Sequence, residues 1–145
     1  MILCLVQTWL MENTGPPEGV LERLREEPRV WMTTLRVIDG SPHTTPVWFV
    51  YEPGRWWVAS DARNVKIRNL EHDPRVSLAL ENGIDPVVAE GVAQLRCDHF
   101  PAEVVKRFAD KYGGWDIEST RDQSAKSRVL IGISHDRWLL CGSAQ

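Results

Sequence analysis

The stretch SDARNVKIRNLEHDPR, from Ser60 to Arg75, gathers the cations Arg63, Lys66 and Arg68 where strand-forming residues end and a helical period begins. A helix N-terminus carries partial positive charge and unpaired N–H groups, so basic side chains in its first turn oppose the macrodipole. A bound anion resolves the conflict. Phosphate at this position takes hydrogen bonds from Ser60 Oγ, Asn64 and backbone N–H groups, with Lys66 as the point charge. The alternative is a solvated basic face balanced by Asp61, Glu71 and Asp73.

Seven tryptophans are many for 145 residues, and Trp31, Trp48, Trp56 and Trp57 fall within one strand-rich stretch. Alternation puts Trp56 and Trp57 on opposite faces of a strand, so one of them points away from the barrel interior unless the strand is covered on both sides. A dimer interface or an aromatic cofactor would cover it; the alternative is ordinary core plus one interface residue. His43, His72, His99 and His135 show no H-x-x-x-H or H-E-x-x-H spacing, and no metal site is expected. G-x-S-x-G, Walker A and G-x-G-x-x-G are all missing, which weighs against hydrolysis and phosphoryl transfer. Seventeen basic against twenty acidic residues give a formal charge of -3, and no segment interleaves basic and aromatic residues. Nucleic acid is therefore not an expected partner.

The elements that must position these residues can be read from periodicity. Val20, Leu21 and Leu24 lie at helical spacing within Glu18–Glu27, and Pro28 ends that helix. RVWMTTLRV (29–37), the Asp39-Gly40 turn, HTTPVWFVYE (43–52) and Trp56–Ser60 predict a three-stranded antiparallel meander. Val65, Ile67 and Leu70 mark a short helix that stops before Asp73-Pro74. RVSLALE and VVAEGVAQLRC predict a hairpin turning at Asn82-Gly83, with a bulge at Gly91. Pro101–Tyr112 reads as a helix with proline in its first turn and Gly113-Gly114 beyond its end. SRVLIGIS and RWLLCG then predict two strands around a His135-Asp136 turn. Six or seven antiparallel strands with two or three short helices favour a small closed barrel, because closure removes exposed edges.

Length and composition bound the rest. The chain fits one domain, 1–145, whose core needs no disulfide or structural metal. Residues 1–17 are expected as an N-terminal extension and 29–142 as the barrel, with helical insertions near 64–72 and 101–112. The apolar run MILCLVQTWL is too short to span a bilayer and lacks the flanks of a secretory signal. Met11 is a candidate start of translation, the alternative being a strand or flap that packs on a partner. Cys4, Cys97 and Cys141 are odd in number and far apart, so the expected location is cytoplasmic, with no membrane association.

The run from Thr33 to Leu95, above all DGSPHTTPVWF and KIRNLEHDPRVSL, resembles the core of the pyridoxamine 5'-phosphate oxidase-like split β-barrel superfamily. SRVLIGIS resembles the last barrel strands of that family. The resemblance implies a mainly β, six- to seven-stranded antiparallel split barrel of the FMN-binding type. It also implies a homodimer with two cofactors at the subunit interface. Carried over residue by residue, Ser60, Asn64 and Lys66 fall on the phosphate-binding turn, joined by Arg63. Thr45, Pro46, Val47 and Trp48 fall on the strand that lies against an isoalloxazine-type ring, and Met32 and Thr33 on the neighbouring strand.

Departures narrow the implication. Thr45 and Val50 stand where pyridoxamine phosphate oxidases carry basic residues at the ends of the ring-contacting strand. HDRWLLCGSAQ also has no counterpart to their C-terminal arginine and histidine, which argues against vitamin B6 oxidation. PVWF and K-x-R-N-L-x-x-D-P-R look more like the actinobacterial branch of flavin- or deazaflavin-dependent oxidoreductases. The expected cofactor is then coenzyme F420 or FMN, and the expected reaction hydride transfer with a small unsaturated organic substrate. Trp115, after the Pro101 helix, is expected either to close over that substrate or to anchor the loop on the barrel. The rival reading is a non-catalytic flavin or deazaflavin carrier, store or stress-related protein, or a haem binder with His43 as ligand.

Overall fold

A computed structural model of the chain describes residues 15, 16, 18–119 and 128–141. The stretch around Met11 and the apolar N-terminal run lie outside them. Six antiparallel strands close into a barrel: β1 (Arg29–Leu35), β2 (Pro42–Glu52), β3 (Arg55–Asp61), β4 (Arg75–Leu80), β5 (Val87–Arg96) and β6 (Arg128–Cys141). Their order around the barrel is β1-β2-β3-β6-β5-β4. Three helices, α1 (Glu18–Glu26), α2 (Val65–His72) and α3 (Ala102–Lys111), complete the described fold. The mainly β, split-barrel architecture expected from sequence is the architecture observed.

Alternation along the strands builds the core. Val30 and Met32 of β1, Phe49 and Tyr51 of β2, Trp56 and Val58 of β3, and Ile131 and Ile133 of β6 fill the interior. Leu24 of α1 and Ile67 and Leu70 of α2 join this core. Helix α1 leads directly into the first residue of β1, while α2 meets the far end of β1, where buried Asn69 Nδ2 donates to Thr34 Oγ1 at 3.0 Å. That bond satisfies two groups that would otherwise be costly to bury.

A second, smaller core lies outside the barrel. Val104 and Phe108 of α3, with Ile117 beyond it, pack on Val50, Trp57 and Leu130. Trp56 and Trp57 do occupy opposite faces, yet both are buried, because the chain's own α3 covers the outer face of β3. Neither a partner nor a cofactor is needed to cover Trp57.

The expected turn at His135-Asp136 is corrected. β6 runs through it as one fourteen-residue strand, pairing with β3 and then along β5. The register with β5 slips between Val88 and Ala89 and again between Glu90 and Gly91, so the strand bends by bulging rather than by reversing. The glycine at 91 is what permits this. A Cβ there would lie 2.2 Å from the Ser134 carbonyl oxygen and 2.8 Å from His135 Cα. Among the described residues no helix is long and apolar enough to cross a membrane, and no cluster of metal-ligating side chains occurs.

Candidate functional site

The β2–β3 ladder starts at Glu52↔Arg55 and stops at Phe49↔Val58. The same register continued would set Val47 opposite Ser60, but β2 from Pro42 to Trp48 pairs only with β1 among the described residues. Pro46, which has no N–H to give to a ladder, sits in this one-sided stretch. The barrel therefore splits between the first half of β2 and the end of β3, and α2 begins four residues after β3 ends. Along that edge of β2 the main-chain donors and acceptors have no ladder partner among the described residues.

Around the split, Ser60 is 6% exposed and accepts a hydrogen bond from Asn64 Nδ2 at 2.9 Å. Asn64 is also the N-cap of α2, and because its side chain is turned to Ser60 it makes no cap bond to the helix. The first turn of α2 holds no acidic residue. Lys66, its second residue, is half-buried, and burial lowers the pKa of its ammonium below the usual lysine range. No carboxylate among the described residues pairs with it. Arg63 lies before the helix and forms a forked pair with Asp61, with Nε–Oδ1 and Nη2–Oδ2 both 2.9 Å. Of the basic residues at this turn, Lys66 is thus the one held partly out of water while its charge is unmatched, an arrangement unfavourable without an anion.

Residues of β2 that share the inward parity add polar groups. Thr45 Oγ1 and His43 Nδ1 are buried without hydrogen-bond partners among the described residues. Burial, and then the charges of Arg36 and Lys66, hold the His43 pKa below the ordinary histidine value. The influence of Lys66 on His43 ties the α2 end of the split to β2. From sequence His43 enters the search for metal-ligand spacing and the haem alternative, not the ring or phosphate site. Its two-residue spacing from Thr45 was the available signal that both lie on one face.

The opposite parity presents a flat surface. Trp31 is 41% and Trp48 47% exposed, with Pro46 opposite Trp31 and the Thr33 and Thr44 hydroxyls 2.8 Å apart. Trp48 stacks on Tyr112, with ring centroids 4.6 Å apart and planes 4° from parallel. The Tyr112 oxygen accepts from Phe49 N–H at 2.8 Å and can donate to the Pro28 or Phe49 carbonyl, each at 2.8 Å. Burial pushes its pKa up to about 12, so this cross-link stays protonated. Sequence spacing held no signal for a contact spanning sixty-three residues.

Two expected residues are placed differently from the rest. Met32 is 1% exposed inside the barrel, so its side chain offers no surface to a ring; strand parity puts Thr33, not Met32, on the outer face. Val47 likewise packs towards the core. Trp115 meets Trp48 edge-on at 5.4 Å and Phe108 at 5.5 Å, and the Arg128 guanidinium lies 5.4 Å from its ring, so here it anchors the loop beside Trp48.

Residues 17–142 match the family described as pyridoxamine 5'-phosphate oxidase. No curated protein matches the sequence. Among solved structures, an F420 reductase shares 22% identity and a TM-score of 0.66, covering 82% of this chain and 94% of its own. A conserved hypothetical protein from Mycobacterium tuberculosis shares 26% identity and a TM-score of 0.67, covering 87% and 84%. The haem storage protein of Vibrio cholerae shares 18% identity and a TM-score of 0.64, covering 83% and 90%.

Proposed function

The chain belongs to the pyridoxamine 5'-phosphate oxidase family, and from that membership we propose that it is a homodimeric oxidoreductase dependent on F420 or FMN. Its reaction is hydride transfer between the cofactor and a small unsaturated organic substrate. The observation that carries the reading is Lys66, half-buried at the start of α2 with no carboxylate partner among the described residues, beside an edge of β2 that none of them pairs. The F420 reductase among the structural relatives supports it as an analogy of fold.

The donor set fits an anionic, planar cofactor. Lys66 holds the phosphate charge, and Ser60, fixed by Asn64, supplies a hydroxyl proton towards it. Thr45 Oγ1 gains the partner it lacks in the barrel wall. The unpaired edge of β2 through Pro46 and Trp48 takes the polar rim of the ring, and Thr33 and Trp31 continue that surface on β1. When bound, the deazaflavin or flavin supplies the carbon or nitrogen that exchanges hydride. The chain's own residues bind, orient and exclude water. Trp48, held by stacking on Tyr112 and by the edge of Trp115, is the rigid wall of that enclosure. Trp31 and Trp48 form the exposed aromatic surface on which the second subunit closes.

Titration of the purified protein with oxidised F420 and with FMN, followed by fluorescence, tests the reading. Saturable binding of one cofactor per chain is expected, and failure of both to bind overturns it. Reoxidation of the reduced, bound cofactor on adding α,β-unsaturated acceptors then separates enzyme from carrier.

A further inference from the structure

A cleft of about 250 Å³ opens between α1, α3 and the end of β2, built from residues that take no part in the strand split. Leu24, Val50 and Tyr51 line it on one side, and Arg25, Arg107 and Lys111 bring three cations to it. Most charges nearby are already matched. Asp110 accepts from Lys106 Nζ at 2.6 Å, and Glu27 is bonded to Arg23 at 3.1 Å. Arg107 Nε is shared between Glu52 at 3.2 Å and Glu103 at 3.4 Å. Arg25 and Lys111 differ from these, because neither has a carboxylate partner among the described residues.

Lys111 is drawn inward. Its Nζ donates to the Leu24 carbonyl at 3.2 Å and lies 3.7 Å from the centre of the Phe49 ring. An ammonium has three donors, so one remains for the cleft. Burial lowers its pKa to about 8, against the opposing charge of Glu27, which leaves the amine mostly protonated at neutral pH and short of a counter-charge. Clefts that hold small molecules pair an apolar wall with a few convergent polar groups, and this one lies just below their usual size range, which suits a small ligand.

We propose that this cleft is a second ligand site, for a small organic anion with an apolar body. The anionic group binds Lys111 Nζ and the Arg25 guanidinium, and the apolar body rests on Leu24, Val50 and Tyr51.

Protection from trinitrobenzenesulfonate, read lysine by lysine by peptide mass spectrometry at pH 8 and constant ionic strength, tests this. Benzoate is expected to slow modification of Lys111 while leaving Lys106 unchanged, and to do so at lower concentration than acetate. Arg25→Gln, on the exposed face of α1, is expected to raise the half-protecting benzoate concentration, measured against the variant's own unprotected Lys111 rate, about tenfold, as loss of one charge-assisted hydrogen bond does. Equal protection of Lys106, acetate as effective as benzoate, or an unchanged benzoate requirement in Arg25→Gln would each overturn the proposal.

Discussion

Thr45 carries a buried hydroxyl that no group among the described residues satisfies. Replacing it with valine, which keeps the shape and removes the orphaned oxygen, is expected to stabilise the cofactor-free protein by about 1 kcal/mol, measured by denaturant unfolding. The same variant is expected to bind cofactor more weakly, so stability and affinity move in opposite directions; an unchanged affinity would place Thr45 outside the site. Lys111 gives a second prediction. Its pKa falls from 10.5 to about 8 on folding, so between those values the unfolded chain binds more protons than the native one, and stability rises with pH. Lys111→Met is expected to lose that rise between pH 8 and 10.5, seen as a flatter dependence of the urea midpoint than in the parent. At this scale the placement of Lys66 in the first turn of α2 was legible from charge opposing a helix end, while its partial burial was not. Met32 and Thr33 were named together from the resemblance, and the structure separates them by parity: one fills the barrel and the other faces out.

Among the elements, β6 shows why strand boundaries were harder to read than strands. His135-Asp136 has turn-like composition, yet the chain passes it extended, because the slip in register against β5 accommodates the bend. The bulge foreseen at Gly91 belongs to the same event, and the close approach of Ser134 explains both. Gly91→Ala is expected to cost about 3 kcal/mol by chemical denaturation, since the atoms met are backbone and cannot swing away. A loss below about 0.5 kcal/mol, the size typical of a surface change, would mean the bulge relaxes freely. Helices α1, α2 and α3 were legible from their spacing, but where α3 docks was not. Its apolar face matches Trp57 on a strand it follows by some forty residues, a pairing that only the folded barrel creates.

For the whole molecule, the closed six-stranded barrel was legible because alternation, turn residues and the need to remove edges agreed. That the barrel is split follows from the resemblance alone; its place between β2 and β3 was not legible, since a missing ladder leaves no mark in composition beyond Pro46. In the proposed homodimer the outer face of β1 and β2 is covered by the second subunit. Trp31→Glu, at an exposed position, is expected to leave the fold intact by circular dichroism and to turn a dimer into a monomer in sedimentation velocity. A variant that stayed dimeric would move the interface elsewhere. The central claim is that Lys66 holds the anionic end of a deazaflavin or flavin. It is tested most directly by the dissociation constant of the preferred cofactor for the parent protein and for Lys66→Ala, measured side by side by fluorescence. Loss of a half-buried charge-assisted contact predicts an affinity about ten- to a hundredfold weaker with the fold unchanged; equal affinities would contradict the account.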